Sequence, residues 1–220
     1  MQPTYNDSFR HKGLRKQLVD GLRQKGITNQ KVLDAINHVP RHFFLDSALE
    51  LTAYEDRAFP IGEGQTISHP HTVAYQTELL QPAHFDKVLE IGTGSAYQST
   101  ILAQMGCRVF TIERQKQLYT RVQAHYPFKK EYPLIKFFFG DGFLGLPNYA
   151  PFDHVLVTAA APFVPQQLLS QLKTGGHLVI PVGDGSSQQM KRYTKQADGT
   201  AKEELFEACM FVPMLQGKAS

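Results

Sequence analysis

The stretch Val88-Leu89-Glu90-Ile91-Gly92-Thr93-Gly94-Ser95-Ala96 carries an apolar run straight into a Gly-x-Gly turn, and a helical pattern follows it over 95–105. A short run, apolar but for Glu90 and bounded by glycine, reads as a strand buried on both faces, the habit of parallel sheets. The glycines let the backbone pass beneath a ligand with no Cβ in the way. Outward from this stretch the alternation repeats. Strands are predicted at 87–91, 108–112, 134–139, 154–158 and 176–181, with helices over 95–105, 116–125 and 165–172 between them. That order predicts an α/β fold with a parallel sheet covered on both faces.

The flanks read differently. Leu14, Leu18, Val19 and Leu22 share one helical face, so a helix is predicted over about 8–25, ended by Gly26. A short helix follows around Val32, Leu33 and Ile36, stopped by Pro40, and a third is predicted over 71–80. Between them, 41–70 shows no period and is punctuated by Pro60, Gly62, Gly64 and Pro70, which reads as a long functional loop. At the other end, 190–195 and 204–213 flank Asp198-Gly199 and predict an antiparallel hairpin. The expected organisation is one domain over 1–220: N-terminal helices and a substrate and cofactor loop in 1–82, a cofactor-binding core in 83–183, and a C-terminal hairpin and tail in 184–220.

Composition narrows the function classes. The 220 residues are 42% hydrophobic and 20% charged, as in an ordinary globular chain. No apolar run approaches the ~18 residues of a membrane span, and the first residues lack the apolar stretch of a secretory signal. The two cysteines, Cys107 and Cys209, exclude a disulfide scaffold and any Cys-x-x-Cys site. The net charge of +3 is mild, and its positive excess lies in 1–41, where 8 Lys and Arg face 3 Asp. A solvated basic helix face accounts for it better than a nucleic-acid footprint. His69 and His71 form a pair with no third ligand in view, so no metal is expected. The expectations are a cytoplasmic monomer that binds neither nucleic acid nor membrane.

Three features fall at successive strand ends. After the first strand comes the Gly92-Thr93-Gly94 turn. The second strand ends at Glu113, 21 residues past Gly92, where a carboxylate can accept hydrogen bonds from two ribose hydroxyls. The third ends at Gly140-Asp141-Gly142, where a carboxylate can reach an adenine amine. Strand ends in an open α/β sheet converge on one crevice. The dinucleotide fingerprint wants a third small residue where this chain has Tyr97, which would crowd a pyrophosphate. Glu90, just before the glycines, can face an ammonium or a positive sulfur. The residues therefore favour S-adenosylmethionine over a nicotinamide dinucleotide.

Further blocks carry a resemblance. They are Ala53-Tyr54-Glu55-Asp56, then Pro60-Ile61-Gly62-Glu63-Gly64-Gln65-Thr66-Ile67-Ser68, together with Gly140-Asp141-Gly142, Pro151-Phe152-Asp153, Thr158-Ala159-Ala160-Ala161 and Phe211-Val212-Pro213. Over about residues 10–215 the chain resembles the protein-L-isoaspartate O-methyltransferase family, and the 53–68 block is absent from general methyltransferases. The resemblance implies a Rossmann-like methyltransferase sheet, S-adenosyl-L-methionine as cofactor, and isoaspartyl-containing proteins and peptides as substrates. Methylation of the free α-carboxylate would then lead to a succinimide and repair. It places cofactor contacts at Gln65, Thr66, Ile67, Ser68, Glu90, Gly92, Thr93, Gly94, Glu113, Asp141 and Gly142, and the active-site serine at Ser68. A main-chain clamp for the substrate falls at Ile61, Val182, Val212 and Met214. The chain departs from the family in one glycine, replaced by Ala96.

The chemistry implied needs little machinery. A carboxylate with a pKa of roughly 3.5–4 is ionised at neutral pH and needs no general base. A sulfonium leaves without an acid. Placement and exclusion of water should carry the rate, with Ser68 orienting the carboxylate. Ser68 also reads as an N-cap for the helix that would begin at His69-Pro70. Three readings share part of this pattern: another S-adenosylmethionine enzyme, a nicotinamide oxidoreductase, and a non-catalytic adenosyl-binding module.

Overall fold

In the computed structural model, which describes residues 6–185 and 187–220, the central sheet has seven strands. In chain order the elements are α1 (Phe9–Gln24), α2 (Gln30–His38), β1 (Phe59–Gly62), β2 (Gln65–Ile67), α3 (Pro70–Leu80), β3 (Lys87–Ile91), α4 (Tyr97–Gln104), β4 (Arg108–Glu113), α5 (Lys116–His125), β5 (Lys136–Phe139), β6 (Phe152–Val157), α6 (Gln166–Ser170), β7 (Leu172–Asp184), β8 (Ser187–Lys195) and β9 (Ala201–Cys209). The strand order is β5-β4-β3-β6-β7-β8-β9. The first five of these run parallel; β8 and β9 are antiparallel to their neighbours.

The two-residue period of the strands divides the core. Val88, Val109, Leu156 and Val179 point to one face, where Leu18, Val32, Val73, Ile101 and Leu118 of α1–α5 cover them. Leu89, Phe110, Val155 and Leu178 point to the other, against Leu168 of α6, Phe143 and Met214. This burial on both faces is what the apolar run 88–91 announced. The helix starts have local causes: the Ser8 side chain accepts from the His11 N–H, and Asn29 accepts from Lys31 and Val32.

Three readings change. The stretch 41–70 is not an open loop: it holds three short 3-10 turns and the β1–β2 hairpin. Strands of three and four residues are too short to show a period, so they left no signal. Ser68 does not cap α3. His69 occupies the cap position without a side-chain bond, and Pro70 opens the helix as expected. The C-terminal hairpin is part of a larger unit. β7 runs 13 residues and turns directly into β8, so β7, β8 and β9 form an antiparallel extension of the sheet. β9 ends at Cys209, and the residues after it leave the sheet to cross the ends of the parallel strands.

Candidate active site

The site is built where β3, β4 and β6 end. Gly92 has φ +98, and a Cβ there would meet the Thr158 hydroxyl at 2.5 Å. That hydroxyl donates to the Ile91 and Gly92 carbonyls, 2.9 Å each, which ties the turn to the end of β6. Glu113 at the end of β4 is 4% exposed. Its two carboxylate oxygens accept from the Gly94 N–H at 2.9 Å and the Gln115 N–H at 2.8 Å. The carboxylate therefore holds the glycine turn in place, and each oxygen keeps a lone pair for a hydroxyl. Ala96, which precedes α4, sits in the left-handed region at φ +69.

These elements surround a single cleft. Gln65, Thr66, Ile67 and Ser68 line one wall; Gly92, Thr93 and Gly94 form the floor; Glu113 and Gly142 line another side. Val212, Pro213, Met214 and Leu215 roof it. The sequence reading missed Tyr97, Gln98, Thr158 and Arg114 as lining residues. Tyr97 and Gln98 follow the glycine turn on the first turn of α4, so the turn itself was the available signal.

Several expected contacts fall elsewhere. Glu90 is fully buried and does not line the cleft. The Ser99 hydroxyl donates to its Oε2, while Oε1 has no hydrogen-bond partner among the described residues. Burial raises its carboxyl to about 7. The two-residue period of β3 puts it on the same face as Val88, turned toward Ser99 of α4 and away from the cleft. Asp141 is also absent from the lining. Its oxygens accept from the Phe143 N–H at 2.9 Å and the Gly217 N–H at 2.7 Å, so it anchors the C-terminal segment. Ile61 faces a neighbouring groove with Gly62 and Ser95, and the Arg121 guanidinium donates to its carbonyl. Val182 bridges Ala161 away from the cleft.

The main-chain donors of 211–214 are mostly spent. Phe211 donates to Gln188 Oε1 at 2.6 Å and Met214 to the Ala160 carbonyl at 2.7 Å, while Pro213 has no N–H. Val212 lines the cleft and keeps the one N–H of the three that has no partner among the described residues. Its carbonyl accepts from Ala160 at 2.8 Å. His69 and His71 do not line the cleft; His71 stacks on Tyr75.

The cleft suits an adenosyl ligand without phosphates. Its floor is a turn with no side chain at Gly92 or Gly94, and Glu113 lines its side with a lone pair left on each oxygen. Tyr97, at the position where a dinucleotide site has a small residue, is buried and lines the cleft. The Gln98 Oε1 atom is buried with no hydrogen-bond partner among the described residues and can accept from a cationic donor. A mostly parallel sheet with this cleft at its carboxyl ends defines a Rossmann-like, S-adenosylmethionine-dependent methyltransferase.

Comparison with known proteins narrows the class. Residues 13–219 match the family described as protein-L-isoaspartate(D-aspartate) O-methyltransferase (PCMT), and the chain belongs to that family. It is 51% identical to the protein-L-isoaspartate O-methyltransferase of Flavobacterium psychrophilum over 96% of this chain and 99% of that one. The enzyme of the same name from Cytophaga hutchinsonii is also 51% identical, over 95% and 94%. A solved protein-L-isoaspartate O-methyltransferase superposes with a TM-score of 0.81 at 25% identity, over 90% of this chain and 65% of that longer one. A Plasmodium falciparum structure of a protein described as a PCMT, in complex with S-adenosyl-L-homocysteine, shares the fold with a TM-score of 0.75 at 23% identity, over 91% and 98%. The activity is therefore S-adenosylmethionine-dependent methylation of isoaspartyl residues in proteins, a repair reaction. No helix among the described residues is long and apolar enough to cross a membrane.

Proposed function

We propose that the 65–68 segment, the glycine turn, Glu113 and the 212–215 segment together form the catalytic cleft, with Ser68 as the residue that orients the substrate carboxylate. The observation that carries this reading is their convergence on one cleft from four separate parts of the chain. When bound, S-adenosylmethionine supplies an electrophilic methyl group. The chain's own residues then bind and place. Glu113 receives the ribose hydroxyls, and Thr93 and Gly94 leave room for the ligand. Ser68 donates a hydrogen bond to the isoaspartyl carboxylate and holds it in line. The free Val212 N–H is the main-chain donor that reads the substrate backbone. Val212, Met214 and Leu215 keep water from the roof. Neither a nucleophile nor a general base of the protein is needed.

We also infer a single domain over 1–220, with the divisions at 82 and 183 marking the loop-bearing, cofactor and C-terminal parts. The reading extends to a cytoplasmic monomer acting on isoaspartyl proteins and peptides, with neither nucleic acid nor membrane as partner.

Labelled S-adenosylmethionine with paired peptides that differ only in an Asp or isoAsp linkage tests the activity; label is expected in the isoAsp peptide alone. Ser68→Ala should lower turnover roughly 10- to 100-fold, since an orienting hydrogen bond to a charged group is worth ~1.5–3 kcal/mol. A covalent adduct on Ser68 in mass spectra would overturn its orienting role. The single-turnover rate should be flat from about pH 6 to 9 and fall only near the carboxylate pKa of roughly 3.5–4. A bell-shaped profile would instead demand a general base.

A further inference from the structure

Arg41 opens the 3-10 turn after Pro40, far in sequence from every strand end, and its side chain is 0% exposed. Its guanidinium does not pair with a carboxylate. Nε donates to the Ala53 carbonyl at 3.0 Å, and Nη2 donates to the Ser68 carbonyl at 2.7 Å, with the Arg57 carbonyl at 3.5 Å. The guanidinium carbon lies over the Tyr97 ring, 4.9 Å from its centre. Nη1 is buried with no hydrogen-bond partner of good geometry among the described residues. Asp56 acts on it only at a distance, and the Asp56 carboxylate is already engaged by Lys25 and the His71 N–H.

A fully buried cation without an anionic partner is costly, and an apolar side chain of similar volume would serve packing better. Burial lowers the Arg41 pKa to about 10, which still leaves it charged at neutral pH. What the side chain gains is geometric. A planar fork can hold several carbonyls in fixed relation, which neither lysine nor an apolar residue can do. The carbonyls it gathers belong to the 53–57 segment and to Ser68, and the ring beneath it belongs to the first turn of α4. Of these, Ser68 and Tyr97 both line the cleft.

We infer that Arg41 is the positioning residue for Ser68: its guanidinium fixes the Ser68 main chain against the start of α4, so that the hydroxyl meets the substrate carboxylate in one orientation. This rests on the reading of Ser68 given above. The arrangement also places a buried positive charge behind the loop that receives an anion, which favours the carboxylate over a neutral amide.

A double-mutant cycle tests it. Arg41→Met, Arg41→Lys and Ser68→Ala are made singly, and each Arg41 variant is combined with Ser68→Ala. Rates with an isoAsp peptide are measured well below each unfolding midpoint, alongside S-adenosylhomocysteine affinity by calorimetry. Arg41→Met is expected to lower kcat at least 10-fold in the wild-type background and less than 3-fold in the Ser68→Ala background. Arg41→Lys, which can still donate to the Ser68 carbonyl, should recover part of the loss. If Arg41→Met does not fold, Arg41→Lys carries the same cycle with a smaller expected coupling. Equal losses in both backgrounds, or variants that unfold more easily yet turn over like wild type when folded, overturn the inference while leaving Ser68 in place. A Ser68→Ala variant with full activity overturns the reading of Ser68 itself, which is a distinct result.

Discussion

Ala96 is an L-residue held at φ +69, where the resemblance to the family expects glycine. Left-handed backbone costs a residue with a Cβ roughly 1–2 kcal/mol. The Ala96 methyl is fully buried in the core beneath the glycine turn, which returns about 0.8 kcal/mol, and alanine loses less backbone freedom on folding than glycine by about 0.5–1 kcal/mol. The effects nearly cancel, and this explains how the turn accepts alanine. Ala96→Gly should shift stability by no more than about 0.5 kcal/mol, as read from urea unfolding. A loss of 2 kcal/mol or more would show that the methyl contributes more than its burial. Glu113 presents a different balance, because its carboxylate serves the turn as well as the ligand. Glu113→Ala should weaken S-adenosylhomocysteine binding at least 10-fold, through loss of one or two hydrogen bonds of ~1.5–3 kcal/mol each. Unchanged affinity in a folded variant would remove the ribose role.

At the scale of elements, the segment after β9 is the part whose behaviour follows least from secondary structure. It is neither helix nor strand, yet it is pinned at each step. Ala160 holds Val212 and Met214, Asp141 and Arg114 hold Gly217, and Arg114 and Lys116 hold Ala219. It therefore forms a strap across the cleft, and an effect of Asp141 on a bound ligand is expected to pass through that strap. Asp141→Ala should raise the dissociation rate of S-adenosylhomocysteine about 5- to 30-fold, on the scale of one charge-assisted hydrogen bond partly lost. Amide exchange at Gly217 and Ala219 should quicken in parallel. Weaker binding with unchanged exchange in the strap would return Asp141 to a direct contact with the ligand.

Across the whole molecule, buried titratable groups pull stability in opposite directions with pH. Burial lowers the pKa of His42, which sits against the Tyr54 hydroxyl at 2.6 Å, the Asn6 carbonyl and the His11 ring, with Asp7 and Glu50 nearby. Burial likewise lowers that of His154, which faces Asp86 and His177. For both, the unfolded chain binds more protons, so their contribution is complete above about pH 6.5 and is lost as pH falls below it. Glu90 has the opposite sign. Its carboxyl is raised from 4.5 to about 7, so the folded chain binds the extra proton, and stability present below pH 4.5 is lost as pH rises to about 7. Glu90→Gln removes that loss. In the absence of ligand the variant should match wild type near pH 5 and exceed it by up to about 3 kcal/mol at pH 8, as measured by urea unfolding at several pH values. A difference independent of pH would mean that Glu90 is not neutral below 7.

The sequence by itself determined the sheet and its ligand end. Apolar runs such as 88–91 carry their own burial, and a Gly-x-Gly turn with an acid 21 residues on carries its own position, because both are local patterns with fixed periods. Glu113 was legible for the same reason, whereas Ser68 was named only through the resemblance of the 60–68 block to the family. The tertiary structure decided what each polar group spends its bonds on. Glu90 and Asp141 read as ligand contacts along the chain, but in the fold the Ser99 hydroxyl and the Gly217 N–H reach them. The donors of Phe211 and Met214 were spent on Gln188 and Ala160, which leaves Val212. Arg41 had no signal at all, since what defines it is a carbonyl 27 residues away. A hydrogen bond between distant residues depends on where folding brings two atoms, and no period or spacing along the chain encodes that.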